Sequence, residues 1–215
     1  MSLHVHLIRP AETEWSLSGQ HTSSTEIVLT AHGEGQARSL GERLRSVAFA
    51  RVLTSPRQRA QQTYALSGLK PAVEIEPDLA EWDYGDYEGR RTVDIRKQRS
   101  DWNLFRDGCP NGEMPTQVCE RADRFIVRLR ALTGNTALFT HGQFGSVLVA
   151  RWIELPVINF VALAETHAFQ DHHDGQESRM TLDQSFALAV AVVRDLAMAW
   201  LSPKPTSARC QRRSI

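Results

Sequence analysis

The chain has 215 residues, 41% of them hydrophobic, with Lys+Arg and Asp+Glu equal at 25 each. That length and apolar content suffice for one domain with a full core, expected over residues 1–201. Balanced charge supplies no global field toward nucleic acid or a membrane surface, and the longest apolar run is too short to cross a bilayer.

The first strand is expected at Val5-His6-Leu7-Ile8, and it ends abruptly in Arg9-Pro10-Ala11-Glu12-Thr13-Glu14-Trp15. A buried strand running into an arginine and a polar turn delivers charged chemistry to a sheet edge. The stretch from Trp15 to Ser24 reads as a polar loop. Thr30 is a plausible N-cap, followed by Ala37, Leu40, Leu44 and Val47 at helical spacing. Val52-Leu53 marks a second strand, ending in Thr54-Ser55-Pro56 and a helix that carries Arg57, Arg59 and Thr63. A third strand is expected at Val73-Glu74-Ile75-Glu76, then an aromatic and acidic loop from Asp78 to Gly89, and a short helix from Thr92 to Arg99.

Asp107-Gly108-Cys109-Pro110-Asn111-Gly112-Glu113 is strong turn chemistry. A long helix follows, with Val118, Ala122, Phe125, Ile126, Leu129 and Leu132 on one face. Ala137-Leu138-Phe139-Thr140 is a buried strand ending at His141-Gly142, and Phe144, Val147, Leu148 and Trp152 belong to the next helix. Alternating strands and helices predict a three-layer α/β/α sandwich around a mostly parallel sheet. Ligands of such sheets bind beyond the carboxyl ends of the strands, where Arg9, Ser55 and His141 all stand.

Beyond Pro156 the pattern weakens. Leu163 to Phe169 is a candidate last strand, and Asp183 to Leu201 reads as a helix. The tail 202–215, with two prolines and three arginines, is expected to be disordered. His172, His173 and Asp174 suit a solvated turn better than a metal site, so no metal or other cofactor is expected. Cys109, Cys119 and Cys210 are odd in number and lack metal-ligand spacing. They indicate free thiols in a reducing compartment, hence a cytoplasmic protein.

The opening stretch resembles the signature Leu-Ile-Arg-His-Gly-Glu-Thr-Glu-Trp of the histidine phosphatase (phosphoglycerate mutase-like) superfamily. Three further segments are similar to its motifs: Thr54-Ser55-Pro56-Arg57-Gln58-Arg59-Ala60-Gln61-Gln62-Thr63, Glu81 to Gly89, and Thr140-His141-Gly142. The family pattern in the first of these is Thr-Ser-Pro-Leu-x-Arg-Ala-x-x-Thr. The resemblance implies a phosphate pocket built from Arg9, Arg59 and His141, with Glu81 as general acid. Two guanidiniums clamp the equatorial oxygens of a phosphoryl group, and an imidazolium stabilises them further. Trp15 to Thr22, Glu81 to Gly89 and Trp102 to Cys109 look like the branch of sedoheptulose-1,7-bisphosphatase-type sugar phosphatases. That similarity implies ligand contacts from Ser16, Gln20, His21, Thr22 and Ser23, although Ser23-Ser24 departs from that branch's Gly-Arg or Gly-Leu.

Where the family has its nucleophilic histidine, this chain has Pro10, and Ala11 replaces the following glycine. Proline has neither a lone pair on its side chain nor a titratable group, so no phosphohistidine forms at position 10. Ala11 is also expected to forgo the positive φ open to glycine and to place a methyl near the phosphate. Three readings stay open. One is a degenerate phosphatase that binds a small phosphorylated or carboxylated metabolite. The second is a repurposed enzyme using His141 and Glu81 as acid and base. The third is residual phosphatase activity through another nucleophile. No nucleic-acid or membrane partner is expected, and a homodimer is left open.

Overall fold

In the computed structural model, which describes residues 3–152 and 154, four apolar segments form a parallel sheet. They are β1 (Leu3–Ile8), β2 (Phe49–Thr54), β3 (Val73–Ile75) and β4 (Gly134–Phe139), in the spatial order β1-β4-β2-β3. The connecting helices are α1 (Glu14–Ser18), α2 (Ala31–Leu44), α3 (Gln58–Ser67), α4 (Thr92–Arg96), α5 (Leu104–Asp107), α6 (Pro115–Arg130) and α7 (Gly142–Trp152). The result is the three-layer α/β/α sandwich expected from the alternation of elements.

The pleat decides which side chains face which layer. Ile8, Val52, Ala137 and Phe139 point to one face, where they pack with Ala60 of α3 and with Leu40 and Leu44 of α2. Leu53 and Leu138, one position out of phase, serve the other face. There α6 contributes Val118, Ala122, Phe125, Ile126 and Leu129, and α7 contributes Phe144, Val147 and Leu148. Each such side chain, fully buried, contributes roughly 1.5–3 kcal/mol.

Register brings the strand ends level. Phe139 of β4 lies opposite both Ile8 of β1 and Thr54 of β2. Two backbone bonds extend the ladder past the strands, from Ser55 N to Phe139 O at 2.8 Å and from Thr140 N to Ile8 O at 2.9 Å. Arg9, Ser55 and His141 therefore leave the sheet from one edge.

Several local expectations change. Part of the stretch read as a polar loop from Trp15 to Ser24 is helical, because Thr13 and Ser16 form a reciprocal capping box and Gly19 closes α1 at φ 77°. Thr30 does cap α2, accepting from Gly33 N at 2.9 Å. Val47 and Leu132, however, fall beyond the ends of α2 and α6. The segment from Asp78 to Gly89 stays irregular apart from 3-10 turns at Pro77–Leu79 and Gly85–Tyr87. Positive φ among described non-glycine residues is confined to Asn111 and Glu154, so the turn after β1 does not require glycine and accommodates Ala11. Leu163 to Phe169, His172 to Asp174, Asp183 to Leu201 and the tail 202–215 lie outside the described residues. No helix among the described residues is long and apolar enough to cross a membrane.

Two glycines of α2 separate propensity from packing. A Cβ on Gly35 meets nothing within 4 Å, whereas one on Gly41 collides with the carbonyl of Ser67 at the end of α3. Gly35→Ala is expected to stabilise by about 0.5–1 kcal/mol and Gly41→Ala to destabilise by about 1–3 kcal/mol. Urea unfolding of the two variants checks this, and equal shifts would contradict the close α2–α3 approach.

Candidate anion site at the carboxyl edge of the sheet

His141 follows the end of β4 and is 2% exposed. Its Nε2 lies 2.7 Å from Ser55 Oγ, so the β2 and β4 ends are joined by a side-chain hydrogen bond. Burial holds the imidazole well below its ordinary value of 6.5, and the charges of Arg59, Arg57, Arg9 and Arg121 push the same way. Both effects favour the uncharged ring, whereas the resemblance implies an imidazolium.

Arg59, on the first turn of α3, is also buried. Its Nη2 donates to the carbonyls of Thr22 at 3.0 Å and Ser23 at 3.3 Å, and Nη1 donates to Thr25 O at 3.4 Å. The amides of the same loop turn the other way. Ser23 N donates to both carboxylate oxygens of Glu88 at 2.9 Å, and Thr25 N to one of them at 3.0 Å. A guanidinium and a carboxylate thus grip opposite edges of the 22–25 backbone. Arg9 is exposed and crosses the start of α7, its Nε 3.4 Å from the point that a Cβ on Gly142 would occupy.

Glu81 sits at the N-terminus of α7. Its carboxylate accepts from Trp82 N and Phe144 N, both at 2.8 Å, and from Gln143 N at 3.2 Å. Orphan helix amides and the positive end of the helix dipole suit a carboxylate there. The strand–helix junction carrying His141 is thereby stapled to the loop carrying Glu81.

Pro10 lies between Arg9 and a fixed turn. Ala11 N donates to Thr63 Oγ1 at 3.0 Å, and that hydroxyl donates to Arg59 O at 2.7 Å. The chain thus needs no amide proton from position 10 to fasten β1 to α3.

Other residues nominated from the sequence are occupied by the loop itself. Ser16 Oγ caps α1. Gln20 Nε2 donates to Gly89 O at 2.8 Å. The His21 ring packs 4.5 Å from Tyr84 and 5.7 Å from Trp102, with Nε2 3.2 Å from Thr92 Oγ1. Thr22 and Ser23 meet Arg59 through their carbonyls, not their hydroxyls. These five positions therefore shape the wall beside Arg59, and the structure commits the side chains of Ser16, Gln20 and His21 to holding it.

Sequence reading missed three contributors. Ser55 was placed at a strand end but given no role beside His141. Arg57 stands where the resembled pattern has leucine. Arg121 of α6 clamps Glu113 with its Nε–Nη2 edge, at 2.9 and 2.7 Å, and its Nη1 donates to Asp78 O and Ala80 O, which fixes the backbone leading to Glu81. A lone arginine among many on α6 gives no signal of such long-range partners. Among the described residues, no group of three or more His, Cys, Asp or Glu is placed to hold a metal ion.

Two histidines make the fold acid-sensitive. Burial lowers His21 to about 4 against the opposing pull of Glu88, and burial lowers His141 as well. The unfolded chain binds these protons more readily, so stability is complete above about pH 6.5 and falls as the pH drops toward 4. His21→Phe is expected to reduce the drop in urea midpoint between about pH 7 and about pH 5. An unchanged drop would remove His21 as a contributor.

The chain matches the profile of the histidine phosphatase superfamily (branch 1) over residues 5–179. It is 41% identical over 155 residues to an acid phosphatase of Mycobacterium tuberculosis, covering 70% of this chain and 76% of that one. It is 38% identical over 184 residues to sedoheptulose 1,7-bisphosphatase of Saccharomyces cerevisiae, covering 70% and 68%. Among solved structures, the product of a Mycobacterium tuberculosis open reading frame superposes with a TM-score of 0.70 at 36% identity, covering 74% of this chain and 83% of that chain. With its parallel sheet and the site at its edge, the chain belongs to the histidine phosphatase superfamily, branch 1.

Proposed function

We propose that this chain is a histidine-phosphatase-fold protein that binds a small phosphorylated metabolite without forming a phosphohistidine. The observation that carries the reading is Pro10, at the end of β1 beside Arg9, in a turn held by the hydrogen bond from Ala11 N to Thr63 Oγ1. The catalytic position of the fold is filled by a side chain with no nucleophile, while the anion-binding surroundings persist. Removing a nucleophile leaves only electrostatic stabilisation and positioning, and these serve binding as well as turnover.

Arg9 and Arg59 are the proposed anion ligands, with the 22–23 backbone and His141 completing the wall. A sugar phosphate or bisphosphate of the class handled by the sedoheptulose bisphosphatase branch is the favoured ligand type. Its support is the similarity to the yeast enzyme and the three sequence segments shared in character with that branch. A carboxylated ligand uses the same guanidinium chemistry. A cytoplasmic location belongs to the proposal too, supported by the free thiols Cys109 and Cys119.

One observation favours a second reading. The His141 Nε2 lies 2.7 Å from a serine hydroxyl, within the reach a general base needs. A repurposed reaction using His141 with Glu81 would then be lost in His141→Ala and in Glu81→Gln. Survival of a measured reaction in both variants would remove that reading.

The primary test compares the native protein with Pro10→His/Ala11→Gly, measuring phosphate release from a panel of sugar mono- and bisphosphates. Turnover by the restored variant alone is the expected result. Turnover by the native protein, lost on Arg9→Ala or Arg59→Ala, would contradict the proposal and point to another nucleophile.

A further inference from the structure

Two arginines near the sheet edge are bonded to neighbouring loops. Arg59 donates to three loop carbonyls, and Arg121 to a carboxylate and two carbonyls. Arg57 differs. It is the residue before α3, positioned because its own amide donates to Ser55 Oγ at 3.2 Å, the hydroxyl that also meets His141. Its Nη1 is used, donating to Ser24 O at 3.4 Å and lying 3.6 Å from Glu26 Oε1. Its Nε is buried and has no hydrogen-bond partner among the described residues.

A guanidinium N–H cut off from water and left without an acceptor is costly, by about 1–3 kcal/mol or more for a charged group. The used and unused atoms of Arg57 also fall on different edges. Nη1 is tied to the loop, whereas Nε and Nη2 form the side-on fork that matches two oxygens of a phosphate or carboxylate. The remainder of the side chain is 28% exposed, so the group lies at the rim and not in the apolar core.

We infer that Arg57 is a third guanidinium of the anion site, its Nε–Nη2 fork donating to two oxygens of the phosphoryl group held by Arg9 and Arg59. The electrostatics agree, because the Arg57 charge acts on both His141 and Arg59. Three guanidiniums favour a phosphoryl dianion over a monoanionic carboxylate, since the dianion matches more of their positive charge. Glu26 is the resident partner of Arg57 and competes with the ligand for it. This inference rests on the proposed anion-binding function.

The probe is inorganic phosphate, titrated calorimetrically into the native protein, Arg57→Leu, Arg57→Lys, Glu26→Gln and Arg59→Ala. Arg57→Leu is expected to weaken phosphate about 10–100-fold, the loss of a charge-assisted pair of hydrogen bonds. The melting temperature of the unliganded protein should not fall, because an unpaired buried donor is removed. Arg57→Lys keeps the charge without the fork and should recover only part of the affinity. Glu26→Gln should bind phosphate as well as or better than the native protein; weaker binding would mean that the Arg57–Glu26 tie matters only for shaping the loop. Native affinity in Arg57→Leu, alongside a loss in Arg59→Ala, overturns the role of Arg57 while leaving the pocket standing. No phosphate binding by the native protein overturns the pocket and this inference together.

Discussion

The level register of β1, β4 and β2 is the constraint from which the site follows. Phe139 faces Ile8 on one side and Thr54 on the other, and the same residue is buried in the core beneath α2 and α3. Slipping β4 by a single residue would turn Phe139 and Ala137 to the opposite face and bring Leu138 and a polar neighbour in their place. Apolar burial therefore fixes a polar geometry. The residues that follow the three strands emerge at one height because the residues before them must pack.

The cluster that emerges is electrostatically uphill on its own. The charges of Arg59, Arg57, Arg9 and Arg121 act on an imidazole that burial already holds well below its ordinary value. The fold offsets this with carbonyls of the 22–25 loop, with Glu88 on the far edge of that loop, and with Glu81 on the amides of α7. Each is bonded to a different element, so the loop, α3 and α7 hold one another in place. Pro10 fits this frame without disturbance, since Thr63 fastens the turn through the amide of Ala11. A proline at this position therefore leaves the turn and its bond to α3 intact.

Period and punctuation made much of this legible from the chain alone. The alternation of short apolar runs with helical spacing announced the sandwich, and Thr30 announced the start of α2 by its side-chain chemistry. The motifs around Arg9 and His141 pointed to the sheet edge at which the structure places both residues. The downward shift of His141 was not legible, because it depends on burial and on four arginines distant in sequence. Nor was Glu81's attachment to α7, which is a tertiary contact spanning some sixty positions. The loop residues Ser16, Gln20 and His21 were nominated as ligand contacts from resemblance. Their side chains are instead turned onto Thr13, Gly89 and the Tyr84–Trp102 pair, bonds that no local pattern reveals. Arg57 escaped notice because one arginine in an arginine-rich turn looks like an ordinary surface charge.

The central claim is that the anion site is retained and works without a covalent intermediate. A crystal structure of the native protein soaked in orthophosphate tests it most directly. The expected result is a free tetrahedral anion within hydrogen-bond distance of Arg9 and Arg59, bonded to no protein atom. Phosphorus covalently attached to His141 or to Ser55, or the anion absent from this edge of the sheet, would contradict it.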